Sequence, residues 1–302
     1  MRNTYRATIV QELHMARYER LPQLLLIIFI VMVAAASFIG WLTHATVTSV
    51  YNEALREGAT TQPNPFLHAP PLNSVKNIVI YIALIGALLA IILGVQSALR
   101  DRKAKVLNMV FSRPVSRRHY LFAKLLGISI WLAVILAVSA VFTWISLWVI
   151  QGQPLSASLT GHLVVFFIIS WLFLVPFISM GLMSGFIARR ETTALLTPVL
   201  LWALLSFVIP QLGTAAEPIS FLNPVPAQVA SKGKFFRSSR QVLQPVSYIN
   251  HYKQISASTL GYNNSGESWK SPSFEAAILA AGSLAVLVSL TPRAIRKDEL
   301  YE

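Results

Sequence analysis

Residues 100–124, RDRKAKVLNMVFSRPVSRRHYLFAK, hold the densest chemistry in the chain, eight Lys or Arg against the single acid Asp101. The segment lies between two apolar runs that are each long enough to cross a bilayer. A short basic loop between two membrane spans faces the cytoplasm by the positive-inside rule. Such a loop can mark topology alone, or it can be a handle for a soluble partner. Other reactive groups are sparse and scattered. There are no cysteines, which removes disulfide and thiolate-metal chemistry. No HExxH, GxSxG or GxxxxGK[ST] pattern occurs, so neither a membrane protease site nor a nucleotide-binding P-loop is expected. Met180-x-x-Met183 has the spacing of a soft copper pair, but methionines at helical spacing in an apolar run are explained by packing.

The elements that must position this loop are membrane helices. Of the 302 residues, 55% are hydrophobic and 12% charged, against about 25% charged in soluble domains. Mean hydropathy is +0.59. Counting charge-free stretches of roughly 20 residues predicts an all-α polytopic membrane protein with six spans, near residues 21–42, 77–99, 125–150, 163–187, 193–209 and 276–291. Gly152-Gln153-Pro154 divides the third from the fourth. As bounded, no span contains an internal Asp, Glu, Lys or Arg, so the interior offers no ion relay. Glu275 and His162 fall at span edges.

Charge bookkeeping sets the orientation. With both termini inside, 17 of the 25 Lys and Arg fall on the cytoplasmic side. The net charge of +13 then flanks apolar spans, where lipid phosphates account for it and nucleic acid is not implied. Residues 1–20 place Tyr5, Ile9, Val10 and Leu13 on one stripe, predicting an interfacial helix along the membrane surface. Residues 21–209 hold spans 1–5, with the basic loop at 100–119. Residues 44–74 read as an external loop. Residues 210–273 form a long external segment, and residues 274–302 hold span 6 and a cytoplasmic tail. Within the external segment Val246, Ile249, Tyr252, Ile255 and Leu260 predict an amphipathic helix on the outer surface. Its aromatics Phe235, Phe236, Tyr248, Tyr252 and Tyr262 suit lipid or protein contact. Gly181-x-x-x-Gly185 is a small-xxx-small helix-packing pair, within or between subunits. Pro176 and Pro198 fall inside spans and can kink them.

The loop carries a more specific pattern. Asp101, Val106-Leu107, Pro114-Val115-Ser116-Arg117 and Lys124-x-x-Gly127 resemble the signature of ABC-2 type permeases, in particular the branch of NosY-like and gliding-motility permeases. Lys105 and Val106 depart from the Gly and Thr common there. The resemblance implies that the loop forms a coupling helix seated in a groove of a separate ATPase. Asp101, Val106, Leu107, Met109, Val110, Phe111, Pro114 and Arg117 would form that coupling site. Pro114 would end the helix, and Arg118 and Lys124 would anchor to lipid phosphates. The chain would be the non-catalytic permease subunit of an ATP-driven transporter in the cytoplasmic (inner) membrane. It would act as a homodimer or beside a second permease, bind no cofactor itself, and rely on ATP and Mg in the partner ATPase. The substrate itself is not legible, and the uncharged spans favour a lipid-linked, amphiphilic or mechanically transmitted load over a small hydrophilic ion. The alternative is a non-transporting scaffold that holds an external partner through residues 211–273.

Overall fold

The computed structural model describes residues 2–59, 71–104, 116–209 and 247–262, with the isolated positions 110, 112, 211, 238, 242 and 243. Every regular element among the described residues is helical. Helix α1 is Arg2–Tyr18 and α2 is Arg20–Arg56. A short 3-10 turn, Pro71–Val75, leads into α3 (Asn77–Tyr81), a π turn (Ile82–Gly86) and α4 (Ala87–Lys103). Then come α5 (Arg117–Gln151), α6 (Ala157–Ile187), α7 (Glu191–Ala203) with a π turn (Leu204–Val208), and α8 (Tyr248–Leu260).

Five helical stretches are long and apolar enough to cross a membrane: Pro22–Arg56, Leu72–Lys103, Arg117–Gln151, Ala157–Ile187 and Glu191–Val208. They match the first five expected spans. The sixth, at 276–291, lies outside the described residues.

Local signals set the ends. Glu19 is extended (φ −75°, ψ 137°), which separates α1 from α2 and leaves Pro22 in the first turn of α2, where proline is tolerated. The α2 helix then runs on to Arg56, well past the expected end at residue 42. Nothing between Thr43 and Arg56 breaks a helix, and the stop comes at Gly58 in the left-handed region (φ 69°). Residues 44–56 are therefore a helical extension rather than loop. Ser116 and Ser156 cap α5 and α6 by accepting from the amides of His119 and Leu159, each at 3.3 Å. Helices α6 and α7 continue through Pro176 and Pro198.

The bundle centre is the α4–α6 seam. A Cβ on Gly181 would sit 2.2 Å from the Ile91 carbonyl oxygen, and one on Gly94 would sit 2.3 Å from that of Ile178. The two backbones therefore touch, and Gly181 and Gly185 serve packing within the subunit. Trp171 Nε1 donates to the Ser129 carbonyl at 2.9 Å and ties α6 to α5. Apolar side chains left uncovered on α2 (Leu24, Ile27, Val31, Phe38) and on α7 (Leu196, Leu200, Leu201) face outward from this core.

Helix α8 departs from expectation. It is helical as the spacing predicts, but it does not lie on the outer surface. Tyr248 and Tyr252 stack on Phe173 of α6, with ring centroids 5.1 and 4.1 Å apart. Tyr252 Oη and Ser170 Oγ are 2.9 Å apart, and Tyr248 Oη donates to the Phe173 carbonyl at 3.2 Å. Ile249, Ile255, Leu260 and Tyr262 are buried as well. These aromatics contact the chain's own bundle. Phe235, Phe236 and Val246 lie outside the described residues.

Candidate functional site

Helix directions alternate, so one end of the bundle collects the start of α2, the end of α4, the start of α5, the end of α6 and the start of α7. Three contacts fix this end. Arg100 Nη1 donates to Glu19 Oε1 at 2.7 Å, Arg102 Nη1 donates to the Gly185 carbonyl at 3.0 Å, and Lys103 pairs with Glu191 at 2.7 Å. The basic loop joins two elements at this end, following Lys103 at the end of α4 and preceding Arg117 at the start of α5.

At the root of the loop lies a buried ionic cluster. Lys124 is 0% exposed, and its Nζ donates to Glu12 Oε1 and Asp101 Oδ2, each at 2.6 Å. Asp101 is 2% exposed and also accepts from the Tyr120 hydroxyl. Glu12 is 6% exposed and accepts from Arg100 Nη2 at 2.6 Å and Ser97 Oγ at 2.9 Å. Three helices, α1, α4 and α5, thus meet through charge-assisted hydrogen bonds that satisfy most of the acceptors. Burial by itself would raise the Glu12 carboxyl, but Lys124 and Arg100 outweigh it and hold the group below the usual carboxylate range.

Lys124-x-x-Gly127 has a direct physical account. The pair sits on one face of α5, where Lys124 neutralises Glu12 and Gly127 admits the backbone of α1. A Cβ on residue 127 would lie 2.7 Å from Glu12 Cβ. Only glycine lets α1 approach this closely, and the approach is what brings Glu12 within reach of Lys124.

The expected coupling residues divide three ways. Asp101 belongs to the cluster, Val110 packs partly buried against the apolar core, and Arg117 opens α5 half-buried. Val106, Leu107, Met109, Phe111 and Pro114 lie outside the described residues. Arg118 is exposed, as an anchor needs to be. Lys124 is not a surface anchor. Its ammonium is enclosed between two carboxylates and cannot reach a lipid phosphate. Nor does α1 stand apart from the bundle, because Glu12 and Ala16 are buried against it while Val10 is exposed.

Glu12, Ser97, Arg100 and Tyr120 were not singled out from the sequence. A signal for Glu12 existed, since it follows Ile9 by three residues and so falls on the apolar stripe of α1. An acid on the packing face of an otherwise apolar stripe calls for a buried cation. The expectation of an interior free of ionisable groups also fails, because α8 carries His251 and Lys253, both buried, into the bundle.

Among the described residues no group of three or more His, Asp or Glu could hold a metal ion. The cluster mixes two carboxylates with two cations and has no nucleophile poised beside a base. It is built to join helices. No curated protein matches this chain. A family model described as ABC-2 family transporter protein matches residues 7–299, which takes in most of α1, the basic loop and all five apolar helices. The chain therefore belongs to the ABC-2 transporter family, the multi-pass membrane component of ABC transporters.

Proposed function

We propose that this chain is one half of a dimeric permease, driven by a separate ABC ATPase that grips the basic loop at residues 100–119. The observation that carries the reading is the Glu12–Lys124–Asp101 cluster at the root of that loop. A push on the loop acts on Arg100 and Asp101 at the end of α4 and on Tyr120 and Lys124 near the start of α5. Because those residues bind Glu12, α1 moves with them. A loose, water-exposed loop root would dissipate the motion, whereas a desolvated ionic joint transmits it.

In this reading the charged end faces the cytoplasm, as the positive-inside rule requires. The chain has six spans with both termini inside, and it resides in the cytoplasmic membrane. ATP and Mg belong to the partner ATPase. The outward apolar faces of α2 and α7 supply the contact with a second permease. The NosY-like branch fits the loop motif, and an amphiphilic substrate fits the apolar bundle.

The test is native purification from the membrane, with identification of the soluble proteins retained. A P-loop ATPase should be recovered with the wild type and lost from the Leu107→Asp/Val110→Asp variant. Recovery of external or membrane partners with no ATPase would instead favour the scaffold.

A further inference from the structure

Three residues in the last turn of α4 reach three different neighbours. Arg100 binds Glu12 of α1, and Lys103 pairs with Glu191 at the start of α7. Between them, Arg102 Nη1 donates to the carbonyls of Gly185, at 3.0 Å, and Ala188, at the end of α6. The Arg100 contact belongs to the ionic cluster. The Lys103 pair is exposed on both sides and therefore weak. Arg102 belongs to neither, and its two bonds come from a charged, half-buried donor. Two residues apart on one helix, Arg100 and Arg102 point to different sides.

Helix α6 has a reason to need this donor. The last carbonyls of a helix have no partner within it. Helix α5 closes its end with Gly152 in the left-handed region (φ 68°). Helix α6 has no such cap, because residues 188–190 contain no glycine and Ala188 is extended (φ −73°, ψ 133°). Arg102 supplies the cap from another helix. It satisfies the Gly185 carbonyl and places a positive charge at the negative end of the α6 dipole. By holding Ala188 as well, it grips the elbow that leads into α7.

The neighbouring packing leaves little slack. A Cβ on Gly185 would lie 2.6 Å from Ala98 Cβ and 3.0 Å from the Val95 carbonyl oxygen. Together with the Gly94 and Gly181 contacts, this sets α4 from Ile91 onward directly against the second half of α6. An interior packed so closely passes on a displacement rather than absorbing it. Helix α7 is held far less. Only Ala194, Pro198 and Trp202 are buried along it, every fourth residue, which makes one narrow stripe. Three residues, 188–190, join it to α6.

We propose that Arg102 is a positioning residue for the transport cycle, the clamp through which motion of the basic loop reaches the α6–α7 elbow and shifts α7. The inference rests on the permease reading and adds a second route to it. The Glu12–Lys124–Asp101 cluster carries the stroke to α1. Arg102 carries it to the opposite side of α4, and so to the helix whose apolar face looks outward from the bundle.

The chain has no cysteine, so a single introduced one can be labelled without background. Bimane is attached at Thr193→Cys, in the exposed first turn of α7, or at Val10→Cys, on the exposed face of α1. Each protein is purified with its ATPase, and fluorescence is read before and after a non-hydrolysable ATP analogue with Mg is added. With Arg102 intact both labels should respond. Arg102→Met should reduce the response at position 193 several-fold and leave that at position 10 unchanged. Loss at both labels would make Arg102 a general structural support, and loss at neither would free α7 from it; either result overturns the proposal. So does a label at 193 that stays silent with Arg102 intact. Hydrogen exchange of residues 189–195 in the isolated chain reads the clamp without the ATPase. Arg102→Met should speed that exchange several-fold, and unchanged exchange also overturns the proposal. If no ATPase co-purifies, the permease reading fails, while the exchange result still decides the clamp. Should Arg102→Met not fold, Arg102→Gln replaces it in both measurements, since it keeps a donor but loses charge and reach. Smaller effects of the same sign are then expected, and no effect counts against the proposal.

Discussion

Lys124 Nζ lies 2.6 Å from Glu12 Oε1 although 112 residues separate them in sequence. The contact joins the N-terminal helix to the helix that follows the basic loop, and Asp101 completes the joint from the helix that precedes it. Removing one partner of a buried ion pair leaves an uncompensated charge, at a cost of about 3–5 kcal/mol. Lys124→Met should therefore strongly destabilise the protein in detergent, because it removes the buried ammonium that Asp101 and Glu12 share and leaves Glu12 to Arg100 and Ser97. Adding Glu12→Gln and Asp101→Asn to Lys124→Met should recover most of the lost stability, since no buried charge is then unpaired. The triple variant should nonetheless show ATP hydrolysis uncoupled from transport. Retention of coupled transport in a stable triple variant would show that the joint is structural only.

The exposed pair at the same end is a contrast. Lys103 and Glu191 are 2.7 Å apart, but both side chains are more than half exposed. Such pairs are typically worth about 0.2–1 kcal/mol. Lys103→Ala should shift the unfolding midpoint little, and raising salt should erase the difference between variant and wild type. A loss comparable to that of Lys124→Met would mean that the α4–α7 junction is as dry as the cluster.

Acid should release α1. The Glu12 carboxyl titrates below its ordinary value of roughly 4.3 because of Lys124 and Arg100. A depressed folded value means that the stabilisation is fully present above the unfolded value and is lost as pH falls through the folded one. Hydrogen exchange of α1 amides should accelerate relative to the intrinsic rate below about pH 4. In Glu12→Gln the protection should be lower at neutral pH and should change less on acidification. The difference between the two proteins isolates Glu12.

How far the sequence revealed all this depends on the range of the signal. Charge-free stretches and the glycine–proline break at 152–154 are local, and five helices fall where they were expected. The end of α2 was misjudged because hydropathy marks where lipid stops, whereas a helix stops only at a breaker, here Gly58. The fate of Lys124 was misjudged for a different reason. A lysine beside a basic loop reads as a surface anchor, and only the fold shows that Glu12, from the far N-terminus, arrives to bury it. The α4–α6 glycine seam had a visible motif with two open uses, and contact between Gly181 and Ile91 settles which one applies. Lys253 escaped notice because it lies outside every apolar stretch, so a count of charges within spans could not find it.

The closeness of α1 to α5 yields the sharpest steric prediction. An added Cβ at Gly127 meets Glu12 Cβ at 2.7 Å and Cγ at 3.1 Å, and the Ile9 carbonyl oxygen lies 3.5 Å away. The Glu12 side chain cannot swing aside without giving up Lys124, Arg100 and Ser97. Gly127→Leu should therefore displace α1 while leaving α5 helical, since leucine favours a helix over glycine by nearly 1 kcal/mol. Limited trypsin digestion should then cut at Arg6 and Arg17 in the variant well before the wild type, with the remaining bundle intact. Gly127→Ala should give an intermediate rate, because its methyl already meets Glu12 Cβ at 2.7 Å but lacks the further bulk of leucine. Equal digestion of all three proteins would mean that α1 is not held by this contact, and the cluster would then have to be re-examined as a joint between α4 and α5 alone.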